Sequence, residues 1–134
     1  MDVVSPNHGV RRSGARPDMV VLHYTGMESA AAARARLCDP TAEVSAHWLV
    51  DLDGTAEALV PEGRRAWHAG VARWGDVRDV NSRSIGIELA NPGSGPAAHP
   101  YPEAQMRALE GLLREIMGRH AVLPERVVGH ACVA

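Results

Sequence analysis

Three side chains of this 134-residue sequence fall where a sheet can present chemistry: His23, Glu88 and His130. His23 closes the apolar run Val20, Val21, Leu22 within DMVVLHYTG. Such a run, bounded by turn residues, predicts a buried strand, and strand ends in α/β sheets are where ligands are held. Glu88 belongs to SIGIEL, residues 84–89, where Ile85, Ile87 and Leu89 take one face and Gly86 and Glu88 the other. A carboxylate in a strand needs a partner or solvent, because burying its charge alone is costly. Gly86 leaves room beside it for a ligand. His130 follows a last short strand, Val127 to Gly129. Two imidazoles suit zinc, and catalytic zinc sites pair three protein ligands with a water. A free carboxylate beside such a water is the usual proton acceptor. The chemistry these types offer is metal-assisted hydrolysis. The same residues also fit a plainer account, in which seven scattered histidines pack structurally and Glu88 is a surface carboxylate.

The elements that must position these groups can be read along the chain. Residues 1–17 are rich in Pro, Gly and Arg and predict an irregular arm over the surface, with His8 solvated or locally bonded. A strand is expected over 19–25, with Val21, His23 and Thr25 on one face. Ser29 is a helix N-cap for an Ala/Arg-rich helix to Leu37, and Pro40 stands just beyond its end. HWLVDLD, from His47, predicts a strand; Asp53-Gly54 turns the chain, and 55–60 returns as its partner. Residues 61–84 carry little periodicity, and an irregular connection of that length is more often functional than idle. Residues 91–100 form a Gly/Pro loop, whose Gly93-Ser94-Gly95 does not open a helix and so does not read as a phosphate cradle. Met106, Leu109, Leu112, Leu113, Ile116 and Met117 then mark the core stripe of a helix over about 102–119. Together these elements predict a single α/β domain with a mixed central β-sheet flanked by helices.

Composition narrows the partners. Hydrophobic residues make up 46% and charged residues 22%, ordinary globular values, and the absence of Phe leaves the core to aliphatic residues and three Trp. A net charge of −2 carries no footprint for nucleic acid or an anionic membrane surface. No apolar run approaches the ~20 residues that span a bilayer. Cys38 and Cys132 show no metal or redox spacing, so free thiols are expected. MDVVSPNHG lacks an apolar signal region, which leads to an expectation of a cytoplasmic protein. Oligomeric state is not legible.

The blocks VVLHYTGM, SAHWLVDLDGT, VPEGRRAWHAGVARW, NSRSIGIELANPG and ERVVGHACVA resemble, in order and spacing, the N-acetylmuramoyl-L-alanine amidase family of zinc enzymes. That resemblance implies a domain over 18–134 after the arm, with Zn2+ as cofactor, His23 and His130 as zinc ligands, and Glu88 as catalytic general base. It also implies hydrolysis of the amide between N-acetylmuramic acid and L-Ala of peptidoglycan or muropeptides. His47 and His68 match positions lining the family's cleft, and Trp67 falls in the A-W-H-A-G stretch, so these three are the expected substrate contacts. The family continues past its second histidine to a lysine and a third zinc ligand, whereas Ala134 stands before both. The domain is therefore expected to be C-terminally incomplete, folded, but weak in zinc binding and turnover, with Cys132 a poor substitute ligand. A non-catalytic muropeptide-binding module on the same fold is the alternative. With no export signal in view, soluble muropeptide is the expected substrate ahead of polymeric murein.

Overall fold

The computed structural model of the protein describes residues 4–93 and 100–133. Its strands are β1 (His8–Gly9), β2 (Met19–Tyr24), β3 (Trp48–Val50), β4 (Ala56–Ala58), β5 (Arg65–Ala66), β6 (Ser84–Leu89) and β7 (Val127–Gly129). The helices are α1 (Ala30–Leu37), the single turn α2 (Val80–Arg83) and α3 (Glu103–His120). Five strands form a mixed sheet in the order β4-β3-β6-β2-β7, and β1 with β5 forms a separate ribbon. β6 runs parallel to β2 and β3, and β7 parallel to β2, while β3 and β4 make the expected antiparallel hairpin. The single domain with a helix-flanked mixed sheet is the fold class that the patterning predicts.

Alternation along the strands sorts the two faces. Val20, Val50, Ile85, Ile87 and Leu89 turn toward α3 and pack under Leu109, Leu112 and Ile116. Gln105, fully buried in that helix, donates to the carbonyls of Val50 (3.1 Å) and Ala90 (2.9 Å), fixing α3 over the ends of β3 and β6. Gly54 adopts φ +91°, and a Cβ there would lie 2.8 Å from the Ala104 carbonyl oxygen, so the hairpin turn also seats the first turn of α3. On the opposite face, Met19 and Val21 pack with Ala69, Val77, Val80 and Val133. α1, capped by Ser29 accepting from Ala32 N–H (3.1 Å), covers Leu49 and Leu59 with Ala33 and Leu37. No described helix is long and apolar enough to cross a membrane. Cys38 and Cys132 are free thiols.

Two expectations need correction. The arm is not a surface strap: Ser5, Asn7 and Arg11 are buried. Ser5 Oγ donates to the Leu37 carbonyl (2.6 Å), and Asn7 Nδ2 to those of Asp39 (2.9 Å) and Val44 (2.8 Å). Polar side chains bonded to distant backbone leave no apolar period, which is why the sequence reads as irregular. Likewise 61–84 is not featureless, because it contains β5 and α2. Of the Gly/Pro loop expected over 91–100, residues 94–99 lie outside the described residues, so the reading of Gly93-Ser94-Gly95 does too.

Glu62 ties the hairpin to the end of α3. It accepts from Trp48 Nε1 (2.8 Å), Arg119 Nη2 (2.6 Å) and His120 Nε2 (2.7 Å). Burial pushes its carboxyl up, but the hydrogen bonds from Arg119, His120 and Trp48 together outweigh that and hold it at about 2. A carboxylate held below its unfolded value adds stability above about pH 4.5, and that stability drains away as pH falls toward about 2. Discounted for solvent screening, it amounts to ~1–2 kcal/mol. Urea titrations across that range should show wild type losing this increment and Glu62→Gln, lower by the same amount at neutral pH, losing none of it.

Candidate active site

The parallel register brings the chemistry together. His23 stands directly across from Glu88 on β6, Val21 from Gly86 and Met19 from Ser84. On the other side of β2, Leu22 pairs with Gly129, so His130 emerges beside His23 at the same end of the sheet. Their ring centroids are 4.9 Å apart, tilted by 49°. His23 is buried and His130 exposed. The structure thus gathers two imidazoles and a carboxylate from three adjacent parallel strands at their C-terminal ends.

Glu88 is the anomalous member. Its Oε2 is enclosed without a hydrogen-bond partner among the described residues. Burial raises its carboxyl to about 8, a shift that a nearby cation would reverse. His23 is lowered to about 4, first by burial and then by repulsion from His130, so its ring is neutral at neutral pH. A neutral imidazole keeps a lone pair for a metal.

His68 extends the cluster. Its Nδ1 lies 3.0 Å from His23 Nε2, and its Nε2 lies 2.9 Å from Ser84 Oγ. Burial, then the neighbouring His23 and His47, hold its pKa well below the ordinary histidine value. Asn81 Oδ1 accepts from the backbone N–H groups of His68 (3.1 Å) and Ala69 (2.9 Å), anchoring this part of the loop. His68 also lines a cleft of about 120 Å³ with Thr25, Met27, Arg36, Trp67 and Glu88. Among the described residues, Arg36 is the one Lys or Arg that lines it. Trp67 and His68, two of the three expected substrate contacts, both line this cleft with Glu88.

His47 does not. It is fully buried, its Nδ1 accepts from Gly86 N–H (2.9 Å), and its Nε2–H donates to the Arg64 carbonyl (2.8 Å). With Nδ1 accepting, the ring carries one proton and is neutral, as the Arg11 guanidinium 3.3 Å from that same Nε2 also favours. Burial, the largest cause, brings His47 down to about 4. The expectation of a substrate contact is corrected to a packing role: the residue at the start of the hairpin bonds β6 and the 61–66 segment instead of facing the cleft.

Two imidazoles with an adjacent unpartnered carboxylate have the donor chemistry of a zinc site. Among the described residues, no group of three or more His, Cys, Asp or Glu side chains is arranged to hold a metal ion. His23 and His130 thus fit as a pair of ligands, and Cys132 is exposed without completing a set. Ser84, Asn81 and Arg11 were missed as supports of the site. Ser84 was within reach of the alternation argument, because residues 84, 86 and 88 share a face.

The sequence profile described as N-acetylmuramoyl-L-alanine amidase matches residues 13–134. The chain is 37% identical over 131 residues to N-acetylmuramoyl-L-alanine amidase AmiD of Escherichia coli (strain K12), covering 89% of this chain and 46% of that protein. It is 30% identical to 1,6-anhydro-N-acetylmuramyl-L-alanine amidase AmpD of Enterobacter cloacae, covering 98% of this chain and 78% of that one. The structure of E. coli AmiD in complex with anhydro-N-acetylmuramic acid-L-Ala-D-gamma-Glu-L-Lys superposes with a TM-score of 0.78 at 36% identity, covering 90% of this chain and 51% of that chain. This chain thus spans about half of AmiD. With the profile running through His23, Glu88 and His130, the chain belongs to the N-acetylmuramoyl-L-alanine amidase family.

Proposed function

We propose that this domain hydrolyses the amide joining N-acetylmuramic acid to L-Ala in muropeptides, with zinc held by His23 and His130. The observation that carries the reading is the unpartnered Glu88 carboxyl beside two converging imidazoles. That E. coli AmiD is known with an anhydro-N-acetylmuramic acid peptide bound supports the substrate class. Zinc held there would supply Lewis acidity, polarising the scissile carbonyl and acidifying water.

The chain's own residues account for the proton traffic. Glu88 accepts a proton from the attacking water as the new C–O bond forms at the lactyl carbonyl carbon. It then returns that proton to the L-Ala nitrogen as the C–N bond breaks, so one group serves both halves of the reaction. Its enclosed Oε2 keeps bulk water from competing for the proton. Trp67 and the apolar side of the cleft offer the peptide a surface on which to lie.

The test is hydrolysis of an anhydro-N-acetylmuramyl peptide, reading release of the free L-Ala amine. Chelation should abolish turnover and added zinc restore it, while His23→Ala and His130→Ala should each lower zinc affinity and turnover. Tight peptide binding without amine release in the zinc-supplied protein would overturn the enzyme reading in favour of a binding module.

A further inference from the structure

The histidine chain has a direction, and Ser84 sets it. Ser84 Oγ lies 2.5 Å from the Val80 carbonyl, which can only accept, so the hydroxyl's single proton is spent there. Toward His68 Nε2, 2.9 Å away, Ser84 Oγ can then only accept, and the proton on that line belongs to His68 Nε2. His68 Nδ1 is left to meet His23 Nε2 at 3.0 Å. A neutral imidazole carries a single N–H, so with its proton on Nε2 His68 has a bare Nδ1 that accepts, and His23 donates from Nε2–H. The remaining His23 nitrogen, Nδ1, has no hydrogen-bond partner among the described residues.

We propose that Val80, Ser84 and His68 form a positioning relay that fixes His23 as its Nε2–H tautomer and so commits the Nδ1 lone pair to a metal. A second observation shows that the relay is held in place. A Cβ on Gly86 would lie 2.5 Å from His68 Cδ2 and 2.7 Å from Nδ1, so the ring rests against bare backbone of β6, where only glycine fits. Asn81 Oδ1 accepts from the backbone N–H of the same residue. A ligand-bearing imidazole whose second nitrogen is engaged is the usual way in which a protein sets ring orientation and basicity. Here the outer partner is another imidazole, itself oriented by a hydroxyl.

The test begins with the metal-free wild-type protein, labelled with 15N in its histidines, at about neutral pH. Long-range 1H–15N correlation should show protonated Nε2 and bare Nδ1 for both His23 and His68. An Nδ1–H tautomer at either ring overturns the relay. Ser84→Ala, checked for folding by its backbone amide spectrum, should mix the His23 tautomers and weaken zinc binding by ~10–100-fold in chelator competition. An unchanged tautomer with unchanged zinc affinity in a folded Ser84→Ala protein also overturns it. Should that variant not fold, the wild-type spectrum decides alone. The inference rests on the proposed amidase reading only for the identity of the metal. The assigned tautomers in a protein that binds no zinc would leave the relay standing and sink the zinc reading, whereas zinc binding with His23 carrying Nδ1–H would do the reverse.

Discussion

Glu88→Gln is expected to lower muropeptide hydrolysis by at least ~10²-fold while zinc content stays at the wild-type value, because Gln keeps the shape but accepts no proton. Loss of zinc along with activity would make Glu88 a ligand, and unchanged turnover would remove it from the reaction. The same substitution has a thermodynamic signature in the metal-free protein. Burial holds Glu88 at about 8 when folded, against 4.5 for the unconstrained group. The folded state therefore binds the proton more tightly than the unfolded state, and wild-type stability falls as pH rises through the interval between those two values. The slope attributable to this group approaches ~1.4 kcal/mol per pH unit at most. Glu88→Gln, with nothing to ionise, should lack that slope and surpass wild type above about pH 8. Parallel urea titrations of the two metal-free proteins would show it, and coincident curves would refute the burial of an unpaired carboxyl.

Arg11→Met is expected to be the most damaging substitution away from the site. Arg11 Nη1 donates to the carbonyls of Asn81 (3.1 Å), Ser82 (2.9 Å) and Ser84 (3.1 Å), and Nη2 donates to that of Glu62 (2.7 Å). Burial, the leading cause, lowers its pKa to about 10, which leaves it charged at neutral pH. Met has comparable reach and no donor, so four backbone carbonyls would lose their partner, at a cost of ~2–4 kcal/mol after partial relaxation. The urea midpoint should drop with an unchanged slope. Arg11→Lys should recover only part of the loss, since an ammonium cannot fork across carbonyls from two separate segments. A midpoint within error of wild type would mean that the arm is dispensable.

What could be read before the structure follows from which forces leave a period. SIGIEL and VVLHY announce strands because alternate side chains meet different surroundings, and Leu109, Leu112 and Ile116 announce a helix for the same reason. The same alternation put His23 and Glu88 on definable faces. It did not show that they are register neighbours, because parallel pairing between strands separated by a helix and a hairpin is set by the packed sheet and not by either strand. The resemblance of the sequence blocks was needed to join them. His47 was misassigned because a histidine that opens a strand looks the same whether its ring turns to a cleft or to backbone. Arg11, Ser5 and Asn7 were illegible for a different reason: their partners are carbonyl groups, and every residue has one.

Strand order in the sheet carries a consequence for how the molecule comes together. β2 is flanked by β6 and β7, both formed far later in the chain, and Arg126 contacts the Asp18 carbonyl across 108 residues. Closing such a loop costs entropy before any contact repays it, so the β2–β7 pairing is expected to be a late event in folding. Until then β2 is an open edge, and the proposed zinc site would have only one of its two imidazole ligands in place. A cation that needs both rings is captured by the completed sheet and not by its precursors, so metal uptake would serve as a kinetic marker for the last strand to dock.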